Sequence, residues 1–242
     1  MEDLLLFGAV GFAAMLVHSF VGFGSALVAM PILTMFLSPR VAIPAFALMV
    51  LVMDLLLVVE TRVHVNWRRA AFLLAGGVVG SPIGALALKT LPTDGLHVGL
   101  NVLILLFAVL LWCNVHLPLP DNRPTQLAVG LTSGLLGGCI GTSGPPIVIF
   151  GLARQWQKDA FRGTLLAYFT GLTFVSVASY TAMGMVDGRT PVLSLAALVG
   201  GLPAAWIGVK LKNRVGQKVF RGVVLAVISL LAVVALAKQF LG

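Results

Sequence analysis

A run of small and helix-breaking residues, 138–146, interrupts an otherwise strongly apolar stretch in the second half of the chain. A similar run, residues 19–25, begins 119 residues earlier and is also flanked by apolar sequence. We call these runs the second tip and the first tip. Hydrocarbon tolerates no unpaired backbone, so both tips should lie inside the protein or line a polar cavity. Interrupted segments at matching positions of two halves are the best sequence indication of a transporter's substrate site.

Composition places the chain in a membrane. Of its 242 residues, 59% are hydrophobic and 10% are charged, and the mean hydropathy is +1.05. A segment of about 20 apolar residues crosses a bilayer core about 30 Å thick, and the chain supplies eight apolar segments of this size or longer. They are 4–37, 41–60, 67–89, 95–113, 124–156, 161–184, 191–211 and 215–241.

The chain reads as two repeats. Residues 1–116 form the expected N-terminal transmembrane repeat, 117–123 a polar linker containing proline, and 124–242 the C-terminal transmembrane repeat. The stretches 76–84 and 200–208 both begin with Gly-Gly and end with Ile-Gly, and repeat spacings of 119 and 124 residues indicate duplication. A single helix over 4–37 would be about 50 Å long, too long for the core. We therefore expect two short helices folded at each tip.

Positive charge in the loops favours this folded-back arrangement. If each tip segment enters the membrane and returns to the side from which it came, twelve of the 16 lysines and arginines lie on one side of the membrane. Only Arg40, Lys89, Arg189 and Lys238 then lie on the other side. If every segment crosses once, the division is only ten to six. Cytoplasmic loops are enriched in basic residues, which places both termini outside the cytoplasm. The fold class that follows is an all-α polytopic membrane protein with two inverted repeats, each starting with a Gly-rich broken or folded-back helix pair.

The second tip has the residues of a helix start. Thr142 and Ser143 are good N-caps, Gly144 permits unusual backbone angles, and Pro145 fits a first helical turn. The positive end of such a helix suits an anion, and Gly24-Ser25 can begin a helix in the same way. We expect no buried lysine or arginine at the tips, and helix packing by small residues remains the alternative. The predicted substrate-binding residues are Ser19, Gly22, Phe23, Gly24, Ser25, Gly141, Thr142, Ser143, Gly144 and Pro145.

Two ionisable residues are candidates for coupling transport to protons. Asp54 is the only acid deep in an apolar segment, and such residues are costly enough to be functional by default. His18 adjoins the first tip and would titrate near neutral pH. A paired or neutral Asp54 and a packed, neutral His18 remain open. No catalytic or metal-ligand spacing occurs, so we expect no enzyme, metal or cofactor, and the loop positions of the basic residues argue against nucleic-acid binding.

Residues 21–25 with Pro31, and residues 141–146, resemble the TauE/SafE family of sulfite exporters, also called the sulfite/organosulfonate permease group. The resemblance covers essentially the whole chain. It implies a multi-pass transporter of a bacterial or archaeal cell membrane that exports or takes up sulfite, organosulfonates or related small anions. Phe23 departs from the glycine pair that many relatives carry in the first tip, which leaves the width of the pocket and the substrate open.

Several alternatives remain open at this stage. The substrate could be another small anion, such as a carboxylate or thiosulfate, or the chain could be a non-transporting membrane subunit. The expected partners are the small anion and the lipid bilayer, and a homodimer is left open. The sequence settles neither the direction of flux nor the coupling ion.

The charge division predicts that both termini lie outside the cytoplasm. A reporter fused after Gly242 that is active only in the cytoplasm should therefore be silent, whereas one fused in the 154–162 loop should be active. Activity of the Gly242 fusion would contradict the arrangement.

Overall fold

The computed structural model describes residues 2–112, 120–214 and 216, and the regular elements within these residues are all helical. The helices are α1 (Glu2–Val21), α2 (Ser25–Phe36), α3 (Pro39–Thr61), α4 (Trp67–Thr90), α5 (Thr93–Trp112), α6 (Arg123–Ile140), α7 (Gly144–Ala153), α8 (Lys158–Ala182) and α9 (Arg189–Asn213). Among the described helices, α1, α3, α4, α8 and α9 are long and apolar enough to cross a membrane. The predicted all-α polytopic architecture is confirmed.

Part of the predicted chain lies outside the described residues. This part comprises Cys113, the first residues of the linker at 117–123 and the last predicted segment, 215–241, with its basic residues Lys218, Arg221 and Lys238. Each of the other predicted segments coincides with one helix or, where a tip interrupts it, with two.

The helices on either side of each tip differ in length. The sequence analysis expects two short helices, but α1 has 20 residues and α2 has 12, while α6 has 18 and α7 has 10. At 1.5 Å per residue, α1 is about 30 Å long and matches the full core, so the expectation of two short members is wrong. The break lies only two or three residues past the middle of each apolar segment, but α1 and α6 begin before the segment does, and α2 and α7 end before it does.

Glycines with left-handed backbone angles end the first helix of each pair. The φ angle is 92° at Gly22 and 73° at Gly141, a region that other residues enter at a cost of about 1 kcal/mol or more. The Gly22 amide donates to the His18 carbonyl over 2.6 Å, and the Gly141 amide donates to the Gly137 carbonyl over 3.0 Å. Both bonds close a last helical turn in the same way.

Each half packs its first long helix against the other half. Helix α1 runs along α9, and α6 runs along α4, with glycines where the backbones approach most closely. A Cβ added to Gly130 would lie 1.9 Å from the Leu73 carbonyl oxygen, and one added to Gly200 would lie 2.0 Å from the Gly8 carbonyl oxygen. Since no side chain fits at these crossings, glycine is required for the helices to meet.

Helices α3 and α8 pack in an antiparallel manner. Near the end of α3, Glu60 contacts Arg162, which lies in the second turn of α8. Gly163 packs beside the carbonyl oxygen of Thr61. These helices occupy equivalent places in the two halves of the sequence.

The basic residues gather at two opposite ends of the helices. At one end, the Arg69 guanidinium lies 2.6 Å from the Asp121 carboxylate and stacks 5.3 Å from the Trp156 ring centroid. At the other end, Arg40 donates to the Leu91 carbonyl and Lys89 donates to the Met183 carbonyl. An arrangement of eight single crossings would separate the 62–69 and 154–162 loops, whereas the contact of Arg69 with Trp156 brings them together.

The crossing of α4 and α6 should not tolerate a methyl group. Gly130→Ala should lower the free energy of unfolding by about 1–3 kcal/mol, because the new Cβ would overlap the Leu73 carbonyl. Gly188→Ala is the matched control, since nothing lies within 4 Å of an added Cβ there. Thermal unfolding of the two purified variants in the same detergent measures the difference, and equal melting temperatures would contradict the close crossing.

Candidate functional site

A cavity lies between the two tips and the middle parts of α3 and α8. Its volume is about 60 Å³, which is room for a small polyatomic anion or a few waters. Eight of the twelve residues singled out from the sequence line it, namely His18, Gly24, Ser25, Asp54, Gly141, Thr142, Ser143 and Gly144.

The other four predicted residues lie behind the tips. The Ser19 hydroxyl donates to the Met15 carbonyl of its own helix over 2.5 Å. Phe23 is 2% exposed and packs edge-on against Phe161, with 6.3 Å between ring centroids. Gly22 packs against Arg162, and Pro145 is buried in the first turn of α7. These residues shape the tips without facing the cavity.

His18 and Asp54 form one hydrogen-bonded unit. The His18 Nε2 atom lies 2.7 Å from Asp54 Oδ1, and the residues are 2% and 0% exposed. The other two polar atoms of the unit, His18 Nδ1 and Asp54 Oδ2, have no hydrogen-bond partner among the described residues. The two coupling candidates are thus paired, and each has a second polar atom left for a ligand or proton.

Hydroxyl groups face the cavity from both halves. Thr142 Oγ1 is buried and has no hydrogen-bond partner within the described chain. The Ser25, Ser143 and Thr173 hydroxyls also line the cavity and make no hydrogen bond to another described residue. By contrast, Thr170, Ser176 and other hydroxyls of α8 donate to the carbonyl four residues earlier. The cavity therefore contains hydroxyl groups that can donate hydrogen bonds to a ligand.

The local structure of the second tip differs from the sequence prediction at two residues. Ser143 occupies the N-cap position of α7, but its side chain makes no capping bond, because φ −93° and ψ −12° place it in the helical rather than the extended region. Gly144 has an ordinary φ and opens α7, while Gly141 has the left-handed angle. The prolines do occupy the first turn of α7, as predicted.

A constant shift of 119 residues relates the cavity's two walls. Adding 119 to the residue number leads from Asp54 to Thr173 and from His18 to Gly137, and all four residues line the cavity. Three further lining pairs obey the same shift, namely Gly24 and Ser143, Ser25 and Gly144, and Val50 and Phe169. The sequence analysis missed Gly137, Phe169 and Thr173. Adding the 119-residue spacing of the tips to His18, Val50 and Asp54 gives these three positions.

A buried arginine holds the first tip, so the expectation of no buried cation there is wrong. Arg162 is 0% exposed, and its guanidinium donates to the Ser19 carbonyl over 2.8 Å and lies 2.5 Å from the Glu60 carboxylate. The carbonyl end of α1 carries partial negative charge, which favours this contact. The sequence suggests a loop cation, but α8 begins at Lys158, so Arg162 lies one turn inside the helix.

The second tip is held without charge. The residue that the shift of 119 pairs with Arg162 is Ile43, and an added Cβ on Gly141 would lie 3.3 Å from its Cγ1. Two carbonyls near the end of α6 instead share the Tyr180 hydroxyl as a donor, over 3.1 Å from Gly137 and 2.9 Å from Gly138.

Removing Arg162 should cost more stability than removing an exposed arginine with a carboxylate partner. Arg162→Met should lower the free energy of unfolding by about 1.5–3 kcal/mol, because the buried Ser19 carbonyl loses charged donors. Arg69→Met should lower it by about 1 kcal/mol or less, since the Arg69–Asp121 pair is 34% and 26% exposed. Chemical unfolding of both variants tests the contrast. A larger loss for Arg69→Met would contradict the proposed role of the buried guanidinium.

Comparison with known families identifies the chain. The family model described as "Sulfite exporter TauE/SafE" matches residues 7–235, nearly the whole sequence. Neither the curated proteins nor the solved structures gave a match. The match covers both tips, the His18–Asp54 pair and the buried arginine, and it agrees with the apolar, multi-pass helical fold. The chain belongs to the TauE/SafE family of sulfite exporters.

Proposed function

We propose that the chain is a secondary transporter of small sulfur-containing anions, sulfite or organosulfonates, and that it couples their movement to protons. The observation that carries the proposal is the buried His18–Asp54 pair facing a hydroxyl-lined cavity between two interrupted helices. Family membership supports the substrate class. The cavity supports binding of a small anion, and the ionisable pair supports coupling.

Neutral donors would hold the anion. The N-terminal ends of α2 and α7 open onto the cavity at Ser25 and Gly144, and helix N-termini favour negative charge. The hydroxyls of Thr142, Ser143 and Thr173 can each donate one hydrogen bond. Within the described residues, no lysine or arginine lines the cavity. Binding without a full positive charge suits a transporter, because the anion must also be released.

The charge of the His18–Asp54 pair would couple the anion to a proton. With neutral His18 and ionised Asp54 the pair carries one negative charge, which at about 5 Å repels an anion by about 3 kcal/mol at an effective dielectric constant of about 20. One added proton brings the net charge to zero, whichever residue carries it. The anion and the proton would therefore occupy the cavity together and leave together.

Inverted repeats would supply alternating access. The shift of 119 residues pairs α3 with α8, and these helices pack in opposite directions, which is the relation expected for inverted repeats. The folded-back helix pairs at the tips belong to the same proposal. The positive-inside rule would place the end with Arg69, Arg154 and Arg162 in the cytoplasm and both termini outside.

Flux measurements in proteoliposomes test the proposal. An alkyl sulfonate is the better substrate for the pH series, because it stays a monoanion across the neutral range. We expect the wild type to accumulate the sulfonate when a proton gradient is imposed, and to do so more than vesicles lacking protein. Failure of the wild type to move either sulfite or a sulfonate would contradict transport of this substrate class.

Two variants should separate coupling from binding. Asp54→Asn should remove the pH dependence of sulfonate transport, because an amide keeps the shape of the carboxyl group but cannot titrate. Thr173→Val, at the position paired with Asp54 by the shift of 119, should keep the pH dependence and weaken binding by about 0.5–1.5 kcal/mol, or roughly 2- to 12-fold. An unchanged pH profile in Asp54→Asn would reduce Asp54 to a structural role.

A further inference from the structure

A basic crevice lies where α4 and α6 begin, at the end of the molecule that carries Arg69. Its volume is about 420 Å³. It is lined by two loop residues ahead of the helices, Asp121 and Asn122, together with Asn66, Arg68, Arg69, Phe72, Arg123 and Gln126. Nothing in the proposed transport mechanism uses these residues.

Two of the three arginines in the crevice are not neutralised. Arg69 pairs with Asp121 over 2.6 Å. Arg68 makes no ion pair with another described residue, and Arg123 lies over the Phe72 ring at 5.2 Å without a carboxylate partner in the described chain. The crevice therefore presents two positive charges beside an apolar ring, in the zone where the helices leave the membrane.

One atom of a buried amide in the crevice, the side-chain oxygen of Gln126, lacks a hydrogen-bond partner among the described residues. Gln126 is 6% exposed, and its side-chain nitrogen donates to Asp121 Oδ1 over 2.7 Å. Its oxygen is buried and accepts no hydrogen bond from the described residues. A ligand that fits this site would carry an acid group for the arginines and a hydroxyl or amine donor for Gln126.

The repeat architecture does not require charge at this place. The related positions at the other end of the molecule line a groove between α1 and α9 that is almost wholly apolar. Shifts of 119 or 124 residues pair Arg123 with Leu4, Arg68 with Val192 and Phe72 with Ala196, and all three partners line that groove. The same crevice thus exists twice, and only one copy is basic.

We propose that the basic crevice binds the phosphodiester of an anionic phospholipid with a hydroxylated headgroup, such as phosphatidylglycerol. The phosphate would lie between Arg68 and Arg123, a headgroup hydroxyl would donate to Gln126 Oε1, and the acyl chains would extend along the lipid-facing surface. Basic pockets between transmembrane helices on the cytoplasmic side are suited to such headgroups. The proposal does not depend on which anion the central cavity transports.

Native mass spectrometry of the full chain tests the site. Protein exchanged into detergent with equal amounts of phosphatidylglycerol and phosphatidylcholine should retain phosphatidylglycerol preferentially. The double variant Arg68→Gln/Arg123→Gln should retain at least five-fold less. The matched control Arg62→Gln/Arg214→Gln removes two exposed arginines outside the crevice and should retain as much as the wild type.

Three results would overturn the assignment. The first is equal retention of the two lipids by the wild type, and the second is equal loss in the two double variants. The third is displacement of phosphatidylglycerol by inorganic phosphate at the same concentration, which would make the crevice a site for a free anion. Gln126→Leu supplies an independent measurement, because it leaves the arginines in place. This variant should lose the preference for phosphatidylglycerol over phosphatidic acid, which has no headgroup hydroxyl, and a retained preference would exclude the role given to Gln126.

Discussion

The structure depends on the rule that a backbone group inside a membrane must find a partner within the protein. Both tips end a helix at membrane depth, and each leaves carbonyl groups that water cannot reach. Helix α8 supplies donors for both ends, Arg162 to the Ser19 carbonyl and Tyr180 to the carbonyls of Gly137 and Gly138. A single helix thus secures both interruptions. The space left between the interruptions becomes the cavity.

The cavity is lined by residues from both parts of the chain, and five pairs of them are separated by 119 residues in the sequence. The ionisable pair occurs in one half only, because Gly137 and Thr173 stand at the positions equivalent to His18 and Asp54. On the opposite wall, Gly137 leaves space and Thr173 supplies a hydroxyl group. The proton site and the anion site that we propose would then lie on different walls of the cavity.

Positions related by the same shift also carry unlike side chains away from the cavity. Arg162 and Ile43 hold equivalent tips, one through charge and one through apolar contact. Loss of a buried arginine leaves its charged and polar partners uncompensated, whereas loss of an apolar contact does not. The tips also differ in backbone where the next helix begins, since φ is 98° at Gly24 and −93° at Ser143. An alternating mechanism built on them need not be symmetric.

The sequence by itself determined the membrane class, the helix breaks and eight of the residues that line the cavity. These features follow from local chemistry, because apolar length, glycine and proline act on the backbone wherever they occur. Only the tertiary structure decided that His18 contacts Asp54, that Arg162 is buried, and that Thr173 faces the cavity. Each depends on residues far apart in the chain, and on which face of a helix meets its neighbour. A single sequence specifies the turn that a residue occupies, but the packing of helices from both halves decides what that residue touches.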